Sequence, residues 1–239
     1  MSDTGAYDRP VATFCLVHGS WHGAWCWEPL VAELEARGHV AVAVDLPSDD
    51  ADAGCSQYAD AVTDSLADAE APILVGHSMG GLTIPLVAER RAVRRLVYLC
   101  ALVPRPGKGP WELEDGEPEP LCETFVGYER DELGRSVWRD LDAAVEQLYP
   151  DCEPASARAA AARLRPQGPV PNDEPCPLQA LPNVPTTTIL ATEDRAVDPE
   201  WVRWTAQNRL GLDAVELPGG HSPMLARPAQ LAAALARLS

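Results

Sequence analysis

Short apolar runs alternate with amphipathic segments in the first part of the chain. The apolar runs predict strands at Val11–Val17, Val40–Val44, Pro72–Val75 and Arg95–Leu99. The amphipathic segments predict helices at Leu30–Arg37, Tyr58–Ala67 and Met79–Arg91. Strands that are apolar throughout and separated by helices are typical of a parallel sheet that is covered on both faces.

This alternation stops near Pro104 and resumes at Thr186. Between these points prolines and glycines crowd together, and helical spacing recurs only at Val137–Leu148 and Ala155–Leu164. The resumed pattern predicts strands at Thr186–Ala191 and Ala214–Leu217 and helices at Glu200–Asn208 and Pro228–Leu238. We therefore predict an α/β domain with a mostly parallel central sheet, formed by residues 1–103 and 186–239. A mainly helical insertion, residues 104–185, interrupts it.

Composition narrows the class of protein. The chain has 239 residues, of which 46% are hydrophobic, so one domain with a substantial core is expected. Its net charge of −17 repels phosphate backbones and anionic lipid surfaces, so we expect no nucleic-acid or membrane partner. Met1–Pro10 lacks the basic start and the apolar stretch of a secretory signal, which favours a cytoplasmic location. Seven cysteines without a CxxC pair or zinc spacing predict neither a metal site nor a disulfide framework.

The sequence GHSMG at Gly76–Gly80 matches the G-x-S-x-G pattern of a nucleophilic serine. It lies where that pattern requires, between a predicted strand and a predicted helix. A turn of this kind holds the serine exposed in a strained backbone conformation, and its glycines let the strand and the helix approach closely. Ser78 is therefore the candidate nucleophile.

A serine hydroxyl needs a base within hydrogen-bond reach, usually a histidine that a carboxylate orients. Of the five histidines, His221 follows the last predicted strand in a glycine-rich loop, which would return its ring to the carboxyl ends of the strands. The other four are interpreted as structural: His18, His22, His39 and His77. The acid is expected after the preceding strand, because the chain order in such sites is serine, acid, histidine. Asp194 is our choice there, and Glu193 and Asp198 remain rivals that spacing does not exclude.

Acyl transfer also requires donors for the developing oxyanion, and loss of one donor typically lowers the rate by about 10²- to 10³-fold. The backbone N–H of Met79, directly after the candidate nucleophile, is one predicted donor. The N–H of Ser20, in the loop after the first strand, is the other. The alternative interpretation of that loop is a tight turn that leads into a packing site of Trp21, Trp25 and Trp27.

Three segments together resemble the α/β-hydrolases: VHGSWHGAW at 17–25, GHSMGG at 76–81 and GHSPM at 220–224. More narrowly, they resemble the branch that contains plant methyl-ester esterases and hydroxynitrile lyases. The resemblance covers nearly the whole chain except the insertion. It implies an α/β-hydrolase fold, a triad of Ser78, Asp194 and His221, oxyanion donors at Ser20 and Met79, and an insertion that caps the active site.

Two positions separate the two activities of that branch. The lyases place a threonine after the first-strand histidine and a lysine after the catalytic histidine, and these positions hold Gly19 and Ser222 here. Glycine leaves room for a tetrahedral intermediate, and an uncharged serine gives departing cyanide little electrostatic help, so the resemblance favours an esterase. Haloalkane dehalogenases and epoxide hydrolases of the same fold use an aspartate nucleophile, which Ser78 argues against.

The hypothesis at this stage is a serine hydrolase that cleaves carboxylic esters of small apolar or aromatic molecules, with methyl esters among the candidates, and needs no metal or organic cofactor. Its candidate pocket residues in the insertion are Trp111, Phe125, Trp138 and Leu148, whose alternative role is in the insertion's own core. The acidic run at 112–119 is interpreted as a solvated loop. A lyase of the hydroxynitrile type and a binding protein without turnover remain the alternatives. Thioesters and lactones also stay open as substrates, and the oligomeric state is not predicted.

Overall fold

The computed structural model describes residues 11–66 and 69–239. Its strands are β1 (Thr13–Val17), β2 (Val40–Val44), β3 (Ile73–His77), β4 (Arg95–Leu99), β5 (Glu129–Arg130), β6 (Ser136–Val137), β7 (Thr186–Ala191) and β8 (Val215–Leu217). Within these residues, six strands form one parallel sheet in the order β2-β1-β3-β4-β7-β8. The predicted parallel α/β sheet is confirmed.

The helices are α1 (Glu28–Glu35), α2 (Cys55–Ser65), α3 (Gly80–Arg90), α4 (Leu141–Leu148), α5 (Pro154–Ala161), α6 (Val170–Asp173), α7 (Pro199–Thr205), α8 (Pro223–Ala226) and α9 (Pro228–Leu235). A π-helical segment, Ala206–Leu210, extends α7. Each helix and strand predicted outside the insertion has an observed counterpart within a few residues. The predicted helix end at Ala67 lies outside the described residues. In the part of the chain that the structure describes, no helix is both long and apolar enough to cross a membrane.

Apolar side chains cover both faces of the sheet. Along β1, Phe14 and Leu16 pack in the cluster that includes α1 and α9, whereas Cys15 and Val17 pack in the cluster that includes α2 and α3. The side chains of a strand alternate between its two faces, and all four of these are fully buried. Burial on both faces explains why the strands are apolar at successive positions rather than at every second one.

The direction of the chain across the sheet reverses at β1, with β2 on one side and β3 on the other. In open α/β sheets, such a reversal leaves a crevice at the carboxyl ends of the two strands, where ligands bind. The loop after β1 and the turn after β3 meet there, since a Cβ added to Gly19 would lie 2.6 Å from the Cβ of Ser78. Two motifs that are distant in the sequence are therefore adjacent.

Residues 104–185 leave the sheet after β4 and return to it at β7, which pairs with β4. The helix predicted at 137–148 begins only at Leu141, because the preceding residues pair with β5 in a two-stranded hairpin. Asp140 starts α4 by accepting hydrogen bonds from two backbone N–H groups, at 2.9 and 3.1 Å. The division into a domain of 1–103 and 186–239 and an insertion stays a prediction, and residues 1–10 lie outside the described part.

The interpretation of the acidic run as a solvated loop is wrong for Glu117. Its side chain is fully buried, forms an ion pair with Arg209, and accepts a 2.8 Å hydrogen bond from the indole of Trp201. Two further acids form exposed ion pairs, Glu112 with Lys108 and Glu114 with Arg105. Arg209 lies 92 residues further along the chain, so the local run of acids did not reveal the pair that buries Glu117.

Candidate active site

Ser78 lies in the turn between β3 and α3 with a φ of +53°. This left-handed conformation is rare for a residue with a side chain, so the surrounding structure must hold it. The N–H of Ser78 donates to the carbonyl oxygen of Leu99 at 3.2 Å, and its own carbonyl accepts from the N–H of Leu102 at 3.0 Å. A Cβ at Gly80 would lie 2.6 Å from the carbonyl oxygen of Val17, so only glycine allows this approach. The serine is fixed in the strained turn that the motif predicts.

His221, after β8, contacts a carboxylate. Its Nδ1 lies 2.8 Å from Oδ2 of Asp194, and both side chains are almost completely buried. The other carboxylate oxygen accepts the N–H groups of Ala196 and Val197, at 2.8 and 3.1 Å. Because the carboxylate accepts, Nδ1 of the histidine carries the proton, and Nε2 is left as its basic nitrogen. The ring of His221 and Ser78 line the same pocket.

The two rival acids are placed elsewhere. Glu193 is exposed. The side chain of Asp198 caps α7 by accepting a hydrogen bond from a backbone N–H at 2.7 Å. The structure therefore brings Asp194, and neither rival, to His221.

Two thiols that sequence reasoning did not connect with the site adjoin Asp194. The Sγ of Cys122 donates to the carbonyl oxygen of Asp194 at 3.4 Å. Burial, followed by the charge of Asp194, raises the pKa of the Cys100 thiol well above its ordinary value. Every cysteine in the described residues is free, and no group of three or more His, Cys, Asp or Glu side chains there is arranged to hold a metal ion.

Three further histidines are buried beside the site. Nε2–H of His77 donates to the carbonyl oxygen of His221 at 2.8 Å, while His18 and His22 each donate from Nδ1 to a backbone carbonyl oxygen at 2.8 Å. Burial lowers the pKa of His18 to about 4 and that of His22 to about 3. It also lowers the pKa of His77 well below its ordinary value. These neutral rings hold the backbone, in agreement with their structural interpretation.

Ser20 and Met79, the predicted oxyanion donors, lie next to each other. The hydroxyl of Ser20 donates to the Sδ of Met79 at 3.4 Å, and both residues line the pocket that contains Ser78. Within residues 11–66 and 69–239, neither backbone N–H donates to another protein group. Buried N–H groups are usually paired, so two free ones beside a serine are available to an anionic oxygen.

The pocket at the carboxyl ends of the strands has a volume of about 300 Å³ and lies between the sheet and the insertion. Its apolar wall includes Trp21, Leu102, Trp111, Leu121, Phe125 and Tyr128. The rings of Trp21, Phe125 and Tyr128 lie within 5.4–6.1 Å of one another, measured between ring centroids. Arg130, Asn172 and Asp173 add polar groups. The site therefore combines a mainly aromatic wall with a few polar positions.

Only two of the four predicted pocket residues line this pocket, namely Trp111 and Phe125. The prediction is wrong for Trp138 and Leu148, which are buried in an apolar cluster formed mainly by residues of the insertion together with Trp21. Trp138 packs behind the pocket wall, with its ring 5.5 Å from that of Trp21. Helical spacing indicates that such residues are buried, but not what they are buried against. Trp21, which the sequence analysis placed in a packing site, lines the pocket as well, and no sequence signal distinguished the two roles.

A mostly parallel sheet with a serine on a sharp strand-to-helix turn is the arrangement of the alpha/beta hydrolase family, and this chain belongs to that family. The family model matches residues 16–234. The fold implied by the three sequence segments is confirmed.

Similar proteins include enzymes with two kinds of activity. Methylesterase 1 of Arabidopsis thaliana is 32% identical over 248 residues, which cover 91% of this chain and 92% of the relative. The alpha-hydroxynitrile lyase of the same plant is 29% identical over 242 residues, covering 91% and 93%. The crystal structure of the pyrethroid hydrolase PytH with BIF superimposes with a TM-score of 0.80 at 27% identity, covering 95% of this chain and 97% of that one. The predicted resemblance to the branch of methyl-ester esterases and hydroxynitrile lyases is confirmed.

Proposed function

We propose that this protein is a serine hydrolase that cleaves carboxylic esters of small apolar or aromatic molecules, with methyl esters among the candidates. The observation that carries the proposal is the pocket shared by Ser78 and His221, whose Nδ1 lies 2.8 Å from Asp194. The methylesterase among its relatives supports ester hydrolysis. A cytoplasmic location stays a prediction.

In the first step, Oγ of Ser78 forms a bond to the ester carbonyl carbon, and its proton passes to Nε2 of His221. The carbonyl π electrons move onto oxygen, and this oxyanion accepts hydrogen bonds from the N–H groups of Ser20 and Met79. Asp194 stabilises the imidazolium that forms. Collapse of the intermediate breaks the bond to the alkoxy group, which leaves with the proton from His221.

In the second step, water hydrolyses the acyl-enzyme. His221 takes a proton from the water, whose oxygen bonds to the acyl carbon and forms a second oxyanion. Collapse breaks the bond to Oγ of Ser78, which receives the proton back, and the free acid leaves. All of the groups that the cycle uses belong to the protein or to water.

The pocket supports an apolar or aromatic acyl group. A volume of about 300 Å³ is at the small end of the range for ligand sites, and three aromatic rings form much of the wall. A flat ring packs favourably on such a wall in a tilted or edge-to-face arrangement. We therefore expect phenyl-bearing esters to be better substrates than long-chain esters.

Ester hydrolysis is favoured over cyanohydrin cleavage by two positions. Gly19 has no room for a side chain, because its Cβ would lie 2.6 Å from the Cβ of Ser78. Ser222 is fully buried and uncharged, so it offers no cation to departing cyanide. A lyase therefore remains the second outcome to test, with mandelonitrile as its substrate.

The test compares the wild type with Ser78→Ala on p-nitrophenyl acetate, p-nitrophenyl butyrate and methyl phenylacetate. Removal of a triad nucleophile lowers kcat by on the order of 10⁶-fold, so the variant should be inactive. Ser65→Ala is the matched control, since this exposed serine at the end of α2 should be dispensable. A fluorophosphonate should label the wild type at Ser78 and leave Ser78→Ala unlabelled.

Equal, slow hydrolysis by the wild type and Ser78→Ala would reject the esterase. Mandelonitrile cleavage that depends on Ser78 would then identify a lyase. Labelling of Ser78 without turnover of any ester or cyanohydrin would instead favour a binding protein that retains the triad.

A further inference from the structure

The loop that carries the Ser20 amide is strained. Trp21 has a φ of +63°, a left-handed conformation that is unfavourable for a residue with a side chain. A strained segment persists only where its surroundings hold it. Four successive carbonyl oxygens of this loop, those of residues 19–22, accept hydrogen bonds, the first two from histidines of the loop itself and the last two from Arg165.

His18 holds the first of these carbonyls. Its Nδ1–H donates to the carbonyl oxygen of Gly19 at 2.8 Å, and its Nε2 accepts the N–H of Leu46 at 3.0 Å. The carbonyl of Gly19 and the N–H of Ser20 belong to one trans peptide and point in opposite directions. Fixing this oxygen therefore also fixes the direction of the Ser20 N–H.

His22 holds the next peptide. Its Nδ1–H donates to the carbonyl oxygen of Ser20 at 2.8 Å, so its Nε2 is an acceptor, and the hydroxyl of Tyr149 donates to it at 2.8 Å. Burial keeps the ring neutral, because it lowers the pKa of His22 to about 3. Tyr149 belongs to the insertion and fixes which nitrogen of His22 carries the proton. Both peptides that flank Ser20 are thus anchored.

Arg165, also in the insertion, holds the last two carbonyls. Its backbone N–H donates to the carbonyl oxygen of Trp21 at 2.9 Å, and its Nε donates to that of His22 at 2.9 Å. The guanidinium also donates to Leu46 at 2.8 Å and to the carboxylate of Asp45 at 3.0 Å. The insertion is therefore hydrogen-bonded to the loop at Trp21, the strained residue, and at His22.

We propose that Tyr149 and Arg165 are positioning residues for the oxyanion donor at Ser20, which they hold in place through His22 and the backbone of residues 20–22. This inference rests on the proposed ester hydrolysis. It assigns the insertion a part in stabilising the transition state, in addition to its contribution to the pocket. Neither side chain lines the pocket, so substrate binding does not depend on them directly.

Tyr149→Phe tests the proposal because it removes one hydroxyl and keeps the buried ring. With a p-nitrophenyl ester, kcat should fall about 10- to 100-fold, less than the 10²- to 10³-fold loss of a whole oxyanion donor. KM should stay within about twofold. A trifluoromethyl ketone, which forms a tetrahedral adduct with an active-site serine, should lose affinity by the same factor as kcat/KM, while the carboxylic acid product should bind as before.

Tyr98→Phe is the matched control, since Tyr98 is equally buried but its hydroxyl has no hydrogen-bond partner within the described residues. It should leave kcat unchanged.

Arg165→Lys is the second variant. It keeps the charge and the backbone N–H but loses the planar guanidinium, so it should again lower kcat more than it raises KM. The amide resonance of Ser20 should shift in Tyr149→Phe and not in Tyr98→Phe.

Unchanged kcat in a folded Tyr149→Phe and in Arg165→Lys would overturn the proposal and leave the esterase intact. Equal losses of affinity for the ketone and for the product acid would overturn it as well, because the pocket as a whole would then have changed. A wild type without hydrolysis would overturn the proposed function and this inference together.

Discussion

Strain marks the candidate site at the scale of single residues. Within the described residues, the non-glycine positions with positive φ are Trp21, Ser78 and Cys100. Each follows a strand of the sheet, β1, β3 or β4, and these strands are neighbours. Trp21 belongs to the pocket wall, Ser78 is the candidate nucleophile, and Cys100 adjoins Asp194. Unfavourable backbone conformations are thus concentrated at the carboxyl ends of neighbouring strands, where the candidate site residues meet.

Gly19→Ala is the first prediction at this scale. The new Cβ would lie 2.6 Å from the Cβ of Ser78, so the loop and Ser78 must move apart. A displacement of about 1 Å in an active site can lower the rate about 10²-fold, and we expect a loss of this size in kcat/KM for p-nitrophenyl butyrate. Gly109→Ala is the control, because its nearest neighbouring atom is 3.5 Å away.

Both glycine variants should retain the circular dichroism spectrum of the wild type. Full activity in Gly19→Ala would contradict the requirement for close approach between the loop after β1 and the serine. Equal losses in Gly19→Ala and Gly109→Ala would show that the effect is not specific to the site.

Sequence reasoning identified a site residue correctly where the residue type and its local context were sufficient to choose it. Ser78 follows from a motif between a strand and a helix, and His221 follows from a glycine-rich loop after the last strand. Spacing along the chain could not distinguish Asp194 from its two acidic neighbours. The 2.8 Å distance between Asp194 and His221 in the structure does. Trp138 and Leu148 were misplaced for the same reason, since periodicity predicts burial but not the partner.

At the scale of elements, residues 104–185, the predicted insertion, are joined to the rest of the chain by specific polar contacts. Glu174, which follows α6, accepts the N–H of Cys55 at 2.6 Å and so satisfies the first turn of α2. Leu121 pairs with Val197 as an isolated antiparallel bridge, beside the loop of the candidate acid. Two-residue strands and single bridges depend on such tertiary contacts rather than on periodicity. This dependence explains why the hairpin of β5 and β6 was not predicted, whereas the strands of the sheet were.

Glu174→Gln should destabilise the protein by about 1 kcal/mol, because an amide oxygen is a weaker acceptor for the N–H groups of a helix start than a carboxylate is. The free energy of unfolding in urea measures this effect. Glu89→Gln, an exposed position on α3 without a hydrogen bond in the described structure, is the matched control and should change stability by less than about 0.5 kcal/mol. Equal stability of the two variants would argue against the cap.

The ion pair of Glu117 with Arg209 connects the acidic run to the π-helical segment after α7. Removing one partner of a buried pair costs about 3–5 kcal/mol, since the remaining charge is left without compensation. Glu117→Gln and Arg209→Met should each destabilise by about this amount. The double variant should be more stable than the sum of the two effects implies. Additive losses in urea unfolding would contradict direct coupling.

At the scale of the whole molecule, neutral histidines are concentrated around one loop. His18, His22 and His77 are fully or almost fully buried, and burial lowers the pKa of each ring. They anchor the loop after β1 and the backbone of His221. His18 and His22 also accept a hydrogen bond at Nε2, from the N–H of Leu46 and the hydroxyl of Tyr149, so a proton on either Nε2 would remove that acceptor. The stability of the molecule is therefore linked to the same groups as the geometry of the candidate site.

Stability should decrease as the pH falls from about 6.5 towards about 4. In the unfolded chain a histidine binds a proton near pH 6.5, whereas His18 does so only near pH 4 and His22 near pH 3 in the folded protein. Between these values the unfolded state binds more protons, so acid favours unfolding by roughly 1 kcal/mol per pH unit for each ring. Urea unfolding at pH 7.5, 6.5, 5.5 and 5.0 in 0.15 M salt measures the slope. This range lies above the ordinary titration of carboxylates, so a constant free energy between pH 6.5 and 5.0 would mean that the buried histidines are already charged in the folded protein.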